Sequence, residues 1–231
     1  MNIFIADIRG GKAVLTADES WHCSKVLRKK PGDRVQLIDG RGNFYEGILE
    51  LVAEKESLVK ITGGPTPQAG RNYYLHLAIA PTKQIDRIEW MIEKAVEIGI
   101  DEISFVLCKN SERTIVKTDR VNKIVESAVK QSLQALIPKV NELRSLKDLL
   151  AVRADQKLIA HCFEGQKENI RTVTFSNQST LVLVGPEGDF TLEEVALAES
   201  HEFKAITLGE NRLRSETAGL FICQAAALLT P

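Results

Sequence analysis

The chain lacks most of the features that assign a protein at a glance. Its four cysteines, Cys23, Cys108, Cys162 and Cys223, are scattered without a close pair. That argues against a disulfide framework and a structural zinc site, and suits a reducing cytoplasm. The four histidines are scattered too, and no His/Cys/Asp/Glu spacing suggests a metal. Neither charge dominates: 30 Lys and Arg stand against 31 Asp and Glu, for a net charge of −1. The whole chain therefore does not announce nucleic acid, and a binding surface for it would have to be a local patch. No apolar run approaches the ~20 residues of a membrane helix. The N-terminus, Met1 to Asp7, meets charge too soon for a signal peptide. No G-x-G-x-x-G follows the first strand of the α/β region, which counts against a nicotinamide enzyme, and there is no P-loop and no G-x-S-x-G elbow. No internal repeat or low-complexity tract is present.

What is there is a soluble, core-forming composition, 44% hydrophobic and 26% charged over 231 residues. Residues 1 to about 63 read as short strands: Ile3–Ala6, Val35–Ile38, Tyr45–Leu51 and Leu58–Ile61. Asp39-Gly40-Arg41-Gly42 is a hairpin signal. Thr16-Ala17-Asp18-Glu19 resembles a capping box opening a helix that runs to about Leu27, before Pro31-Gly32-Asp33. Several short strands in so few residues suggest a small barrel. The helix and its exit gather His22, Lys25, Arg28, Lys29, Lys30 and Arg34. Two readings stay open: a solvated face at a cation-favouring helix end, or a patch that contacts phosphates.

The Gly- and Pro-rich stretch 63–70 reads as a linker between two periodicities. Beyond it strand and helix alternate. Tyr74–Ala80, Ile103–Leu107 and Leu158–Ala160 are strands, one helix runs from Ile85 to a stop at Gly99, and a second covers Val121 to Ser132. Such alternation predicts a mainly parallel sheet. Two domains are expected, 1–68 and 73–231.

The stretch Leu181–Leu229 concentrates the chemistry. The buried run Leu181–Val184 breaks into Gly185-Pro186-Glu187-Gly188-Asp189-Phe190, and Ala205–Leu208 breaks into Gly209, then Arg214-Ser215-Glu216-Thr217-Ala218. Loops leaving the carboxyl ends of such strands are where open α/β sheets bind ligands. Plainer roles remain open: Gly185–Gly188 as a tight turn, Ser215 or Thr217 as an N-cap, and Arg214 with Glu216 as a surface ion pair. The last helix carries so little charge that it is expected to be buried, in the core or against another subunit.

The paired motifs Leu183-Val184-Gly185-Pro186-Glu187-Gly188 and Leu208-Gly209-x-x-x-Leu213-Arg214-x-Glu216-Thr217-Ala218 resemble the signature of the RsmE family, small-subunit (16S) ribosomal RNA uridine N3-methyltransferases. The likeness spans the chain. His22-x-x-x-Val26-Leu27-Arg28, Lys83-x-x-x-Arg87-x-Glu89-x-x-x-Glu93-Lys94-Ala95-x-Glu97-x-Gly99 and Ser111-Glu112-Arg113 stand at matching places. The resemblance implies a PUA-like β-barrel that binds RNA, followed by a SPOUT-type α/β sheet with a trefoil knot. It implies S-adenosyl-L-methionine in the knot, against Leu183–Gly188, Leu208, Gly209, Leu213, Ser215, Thr217 and Ala218. It implies a cytoplasmic homodimer acting on the small ribosomal subunit, with no metal and no membrane. Arg214 is then the first choice for orienting the uracil, with Glu216 the candidate base and Ser215 beside them. His22, Lys25, Arg28, Lys29, Lys30, Lys83, Arg87 and Arg113 are the candidate RNA contacts. A non-catalytic RNA-binding protein on this scaffold, or a SPOUT methyltransferase with another RNA target, are the alternatives. The chain departs from the family's usual pattern in three places. Asp189 replaces a frequent second glycine, Ser215 a frequent threonine, and Lys130-Gln131-Ser132-Leu133-Gln134 a frequent Glu-Gln-x-x-Arg.

Overall fold

The computed structural model describes residues 3–230 and divides into two units. The first holds residues up to Gly70 together with Val129–Ile137; the second holds Arg71–Ala128 and the chain from Pro138 onward.

In the first unit five strands close a barrel in the order β1-β2-β5-β4-β3, as the short strands predict. They are β1 (Ile3–Arg9), β2 (Lys12–Leu15), β3 (Arg34–Ile38), β4 (Asn43–Leu51) and β5 (Leu58–Pro67). Parallel pairing of Ile3, Phe4 and Ile5 with Gln36, Leu37 and Ile38 closes the cylinder, and alternate side chains such as Phe4, Ala13, Leu15, Leu37, Leu49 and Val59 fill it. The Asp39–Gly42 signal is a real turn. The Asp39 carboxylate accepts Arg41 N at 2.8 Å and Asn43 N at 3.1 Å. Burial alone would raise its pKa, but these bonds and that from the Asn43 side chain leave it below the ordinary value.

Three expectations need correction here. The helix reaching Leu27 is two pieces, α1 (Ala17–Trp21) and a π-helical turn, His22–Val26. Its capping box is half made. Thr16 Oγ1 accepts Glu19 N at 3.3 Å, but the Glu19 carboxylate, buried, takes Lys130 Nζ at 2.5 Å instead of reaching back. Lys130 stands where the family frequently carries a glutamate, so this departure supplies a half-buried cation for the buried Glu19. Most of the linker, Gly63–Pro67, is strand: Gly63, Thr66 and Pro67 pair with Glu46, Phe44 and Asn43. The register shifts there accommodate residues that a regular ladder would reject.

The second unit is a seven-stranded sheet, parallel in every pairing, in the order β10-β12-β9-β11-β6-β7-β8. Its strands are β6 (Tyr74–Ile79), β7 (Glu102–Leu107), β8 (Lys139–Ser145), β9 (Gln156–Ala160), β10 (Glu168–Asn169), β11 (Ser179–Val184) and β12 (Lys204–Thr207). The helices are α2 (Ile85–Ile98), α3 (Thr118–Gln131, whose residues from Val129 on belong to the first unit), α4 (Leu146–Leu150), α5 (Leu192–Ser200) and α6 (Ser215–Leu228). Sequence reading misses β8, whose Lys-Val-Asn-Glu-Leu-Arg-Ser reads as a charged loop because an edge strand buries little. It also misses α4 and the two-residue β10. The central strand β11 is buried from Thr180 to Val184, so it reads as a continuous apolar run. On α6 a Cβ at Gly219 would stand 3.1 Å from Ile79 Cδ1, 3.2 Å from Leu77 Cδ2 and 3.4 Å from Met91 Sδ. The missing side chain lets α6 lie directly on β6 and α2.

The amino ends of β6, β7 and β8 carry a buried polar network. His76 Nε2 and Ser104 Oγ share a 2.7 Å hydrogen bond, and Asn141 Nδ2 donates to Ser104 Oγ at 2.9 Å and to Glu102 Oε1 at 2.6 Å. Tyr74 Oη and Lys139 Nζ donate to the same carboxylate at 2.7 and 2.8 Å. Burial would raise the Glu102 pKa, yet the bonds from Lys139, Tyr74 and Asn141 hold it near 2. Burial lowers His76 to about 4, against a smaller upward pull from Glu102.

Candidate active site

Strands β12, β9 and β11 lie side by side, and their carboxyl ends open on a cleft of about 850 Å³. The walls come from the residues that follow each strand, from the first turn of α6, and from Arg87 on α2.

The loop after β11 is shaped by close approach. A Cβ at Gly185 would stand 3.0 Å from the Phe190 ring. Asp189 N closes the turn by donating to Pro186 O at 2.9 Å. Three other segments hold the loop. Lys83 N donates to Glu187 Oε1 at 2.9 Å; Asn110 Nδ2 donates to the carbonyls of Gly188 and Asp189 at 3.1 and 3.0 Å; Cys162 N donates to Asp189 Oδ2 at 2.8 Å. Asp189 adopts φ +60°, a backbone that aspartate tolerates better than most residues. The departure from glycine thus keeps the left-handed turn and adds a carboxylate.

The start of α6 corrects two plainer readings. Ser215 is the first helical residue rather than the cap, and its hydroxyl donates to Gly185 O at 2.8 Å. It ties the two loops together, a partner thirty positions away that local sequence cannot reveal. Glu216 does not pair with Arg214. Its side chain is 10% exposed, Oε1 lies 3.7 Å from Arg87 Nη1, and Oε2 has no hydrogen-bond partner. Arg214 is exposed on the cleft wall.

Of the expected cofactor residues, Val184, Gly185, Pro186, Glu187, Leu208, Gly209, Leu213, Ser215 and Ala218 line the cleft. Leu183 is buried within β11, Gly188 faces Asn110, and Thr217 is exposed elsewhere on α6. Arg87, expected to meet RNA, is at the cleft beside Glu216. Arg113 is spent on the backbone, donating through Nε to Thr82 O at 3.0 Å and through Nη2 to Lys83 O at 2.6 Å. It steadies the segment whose amide holds Glu187. Lys83 Nζ is exposed and pairs with Glu112 at 2.9 Å, which raises its pKa.

Sequence reading passed over His161. It lines the cleft directly after β9, and both its ring nitrogens are buried without a partner. Burial, then the nearby Lys167 charge, lowers its pKa. Lys167 Nζ donates to the His161 carbonyl at 2.8 Å. The available signal was its place after the recognised strand Leu158–Ala160.

On the barrel, Arg28 and Lys30 are exposed, His22 is half-buried, and Lys25 pairs with Glu54 at 2.6 Å. Lys29 joins Arg34 and Gln36 around a second cavity, of about 630 Å³.

A small barrel with an all-parallel α/β sheet, and a cleft at that sheet's carboxyl edge, form the frame of an RNA methyltransferase. The RNA methyltransferase domain family matches residues 70–227, and the RNA methyltransferase PUA domain family matches 15–62. A ribosomal RNA small subunit methyltransferase E of Mesomycoplasma hyopneumoniae is 39% identical over 192 residues, covering 79% of this chain and 80% of that protein. A probable rRNA-methyltransferase from Porphyromonas gingivalis superposes with a TM-score of 0.90 at 39% identity, over 100% of this chain and 98% of that one. The ribosomal RNA small subunit methyltransferase E of Neisseria gonorrhoeae, solved with bound S-adenosyl methionine, gives 0.83 at 27% identity over 97% and 96%. The chain belongs to the ribosomal RNA small subunit methyltransferase E family. Among the described residues, no helix is long and apolar enough to cross a membrane.

Proposed function

We propose that this protein uses S-adenosylmethionine to methylate N3 of one uridine in small-subunit ribosomal RNA, working as a homodimer in the cytoplasm. The observation that carries the reading is the cleft, where the Glu216 carboxylate and the His161 imidazole keep buried polar atoms unpaired. Buried polar atoms are costly without partners, so such atoms at a cleft suit a polar ligand.

The residues fit the cofactor. Val184–Glu187 and Leu208–Gly209 line the cleft as two facing loops against which an adenine could lie, and no atom lies within 4 Å of where a Cβ of residue 209 would stand. Leu213 and Ala218 add apolar surface. When bound, S-adenosylmethionine supplies a methyl group made electrophilic by its sulfonium. The chain's own residues prepare the base. The neutral imide is a poor nucleophile, so the N3 proton has to leave, and Glu216 is the candidate acceptor. Arg87 orients that carboxylate from 3.7 Å. Arg214 offers a planar fork of donors to the uracil oxygens as charge grows on them. Ser215 keeps the two loops in register through Gly185.

Exposed Arg28 and Lys30, with His22, Lys25 and Lys29, would meet RNA phosphates, and Lys83 would do so near the cleft. A dimer is supported by apolar side chains left on α2 and α6, Trp90 at 50%, Phe221 at 40% and Leu228 at 73% exposure. A trefoil knot is supported by the path of the chain. From β11 it crosses beyond β9 to β12, then returns as α6 to pack on β6 and α2.

The test is methyl incorporation. Small subunits from cells lacking the gene are incubated with purified protein and labelled S-adenosylmethionine, and the RNA is digested for mass spectrometry. One new N3-methyluridine is expected. RNA binding without any methyl transfer would overturn the reading in favour of a non-catalytic binder.

A further inference from the structure

We propose that Asp189 is a positioning residue of the methyl-transfer site, a clamp that fixes the loop after β9 onto the loop after β11 and so sets the cofactor wall of the cleft. The proposal rests on the reading above, that the cleft holds S-adenosylmethionine.

Three observations carry it. First, the backbone at Asp189 has φ +60°, a region where glycine is at ease and most side chains are strained. Glycine would make the turn equally well, so the turn alone does not explain a carboxylate. Second, that carboxylate bridges two segments. Oδ1 accepts Phe190 N at 2.8 Å and Oδ2 accepts Cys162 N at 2.8 Å. Hydrogen bonds from amides to a carboxylate are among the stronger polar contacts in proteins. Third, the segment so held is itself cleft wall: His161 and Cys162 both line it. Asn110 braces the opposite side of the turn through the Gly188 and Asp189 carbonyls, so the clamp pulls on a fixed point. The side chain does not need to touch the cofactor. It acts through the position of His161–Cys162.

The experiment compares the full-length protein with Asp189→Gly and Asp189→Asn. Each is titrated calorimetrically with S-adenosylhomocysteine, assayed for KM and kcat, melted, and followed by hydrogen exchange at the Cys162 amide. Asp189→Gly should still fold and melt cooperatively, because glycine accepts the left-handed turn, with the melting temperature lowered by several degrees for the two lost amide–carboxylate bonds. Its Kd for S-adenosylhomocysteine and KM for S-adenosylmethionine should rise about tenfold with kcat within about threefold, the pattern of lost binding rather than lost chemistry. The Cys162 amide should exchange faster. Asp189→Asn keeps one acceptor and tolerates the same backbone, so it should fall between the two. An unchanged Kd in Asp189→Gly, with the parent binding normally, overturns the clamp and leaves the methyltransferase reading intact. Failure of the parent protein to bind S-adenosylhomocysteine overturns the cofactor reading, and the clamp with it.

Discussion

The two ends of the parallel sheet each bury a histidine, and the two are treated differently. At the amino end His76 and Ser104 share a hydrogen bond inside a network that also satisfies Asn141, Glu102, Tyr74 and Lys139. At the carboxyl end His161 has two buried ring nitrogens without partners, and Glu216 Oε2 is in the same state. Burial lowers both imidazoles, so the contrast lies in pairing and not in desolvation. An unsatisfied buried polar atom costs about 1–3 kcal/mol. A fold that pairs the histidine at one end of its sheet, where the unpaired buried atom is Arg71 Nε, and leaves both nitrogens of the histidine at the other unpaired has separated structure from function along the strands. The amino end holds three strands together, and the carboxyl end reserves donors and acceptors for a ligand.

That contrast can be broken in four ways, of decreasing size. Arg214→Ala should reduce methyl transfer by about a thousandfold or more, since it removes the charged donors proposed for the transition state. Its affinity for S-adenosylhomocysteine should stay within about tenfold, and near-normal turnover would sink the assignment. Glu216→Gln should slow transfer by roughly a hundredfold or more if Glu216 is the base, without lowering the melting temperature, because the acid it replaces already has an unpaired oxygen. Full activity in this variant would move the proton elsewhere.

The third prediction concerns the amino end and pH. Folded His76 titrates near 4 rather than 6.5, so the unfolded chain takes up the proton first and protonation favours unfolding. Stability should be complete above about pH 6.5 and fall as pH drops toward 4, by roughly 2–3 kcal/mol. Glu102 works in the same direction lower down. Its folded pKa near 2 lies under the ordinary 4.5, so its contribution is present above 4.5 and is lost below it. Denaturant titrations of His76→Gln should show a flatter slope between pH 6.5 and 4, with methyl transfer at pH 7.5 unchanged. A slope like the parent's would assign the acid sensitivity to other groups. The smallest effect belongs to the barrel. Arg28→Ala with Lys29→Ala should weaken RNA binding a few-fold and lower the salt slope by about two. An unaltered slope would remove those residues from the RNA surface.

The residues explain why some of this was legible in the sequence. Leu181–Val184 could be read as a central strand because burial on both faces leaves an unbroken apolar run, and Gly185 because strand ends meet ligands. Alternating strands and helices made the parallel sheet readable, and short strands around Asp39–Gly42 the barrel. What stayed hidden is long-range. Ser215 reads as a cap until Gly185 O is beside it, and Arg87 reads as a surface cation until Glu216 is 3.7 Å away. His161 carries no local pattern at all. The strand Lys139–Ser145 was missed because an edge strand with solvent on one side has no need of an apolar run, and the paired Gly63–Pro67 because pairing partners are not written into a segment's own composition.

Gly219 gives the last consequence. It stands one helical turn beyond Ser215 and Glu216, pressed on Ile79, Leu77 and Met91. A rigid helix transmits displacement along its length, so the contact acts as a datum surface in a machined part. Whatever thickness is added at residue 219 reappears as misalignment of a carboxylate one turn away. The tolerance of the cleft is therefore set inside the core, at a position that touches no substrate.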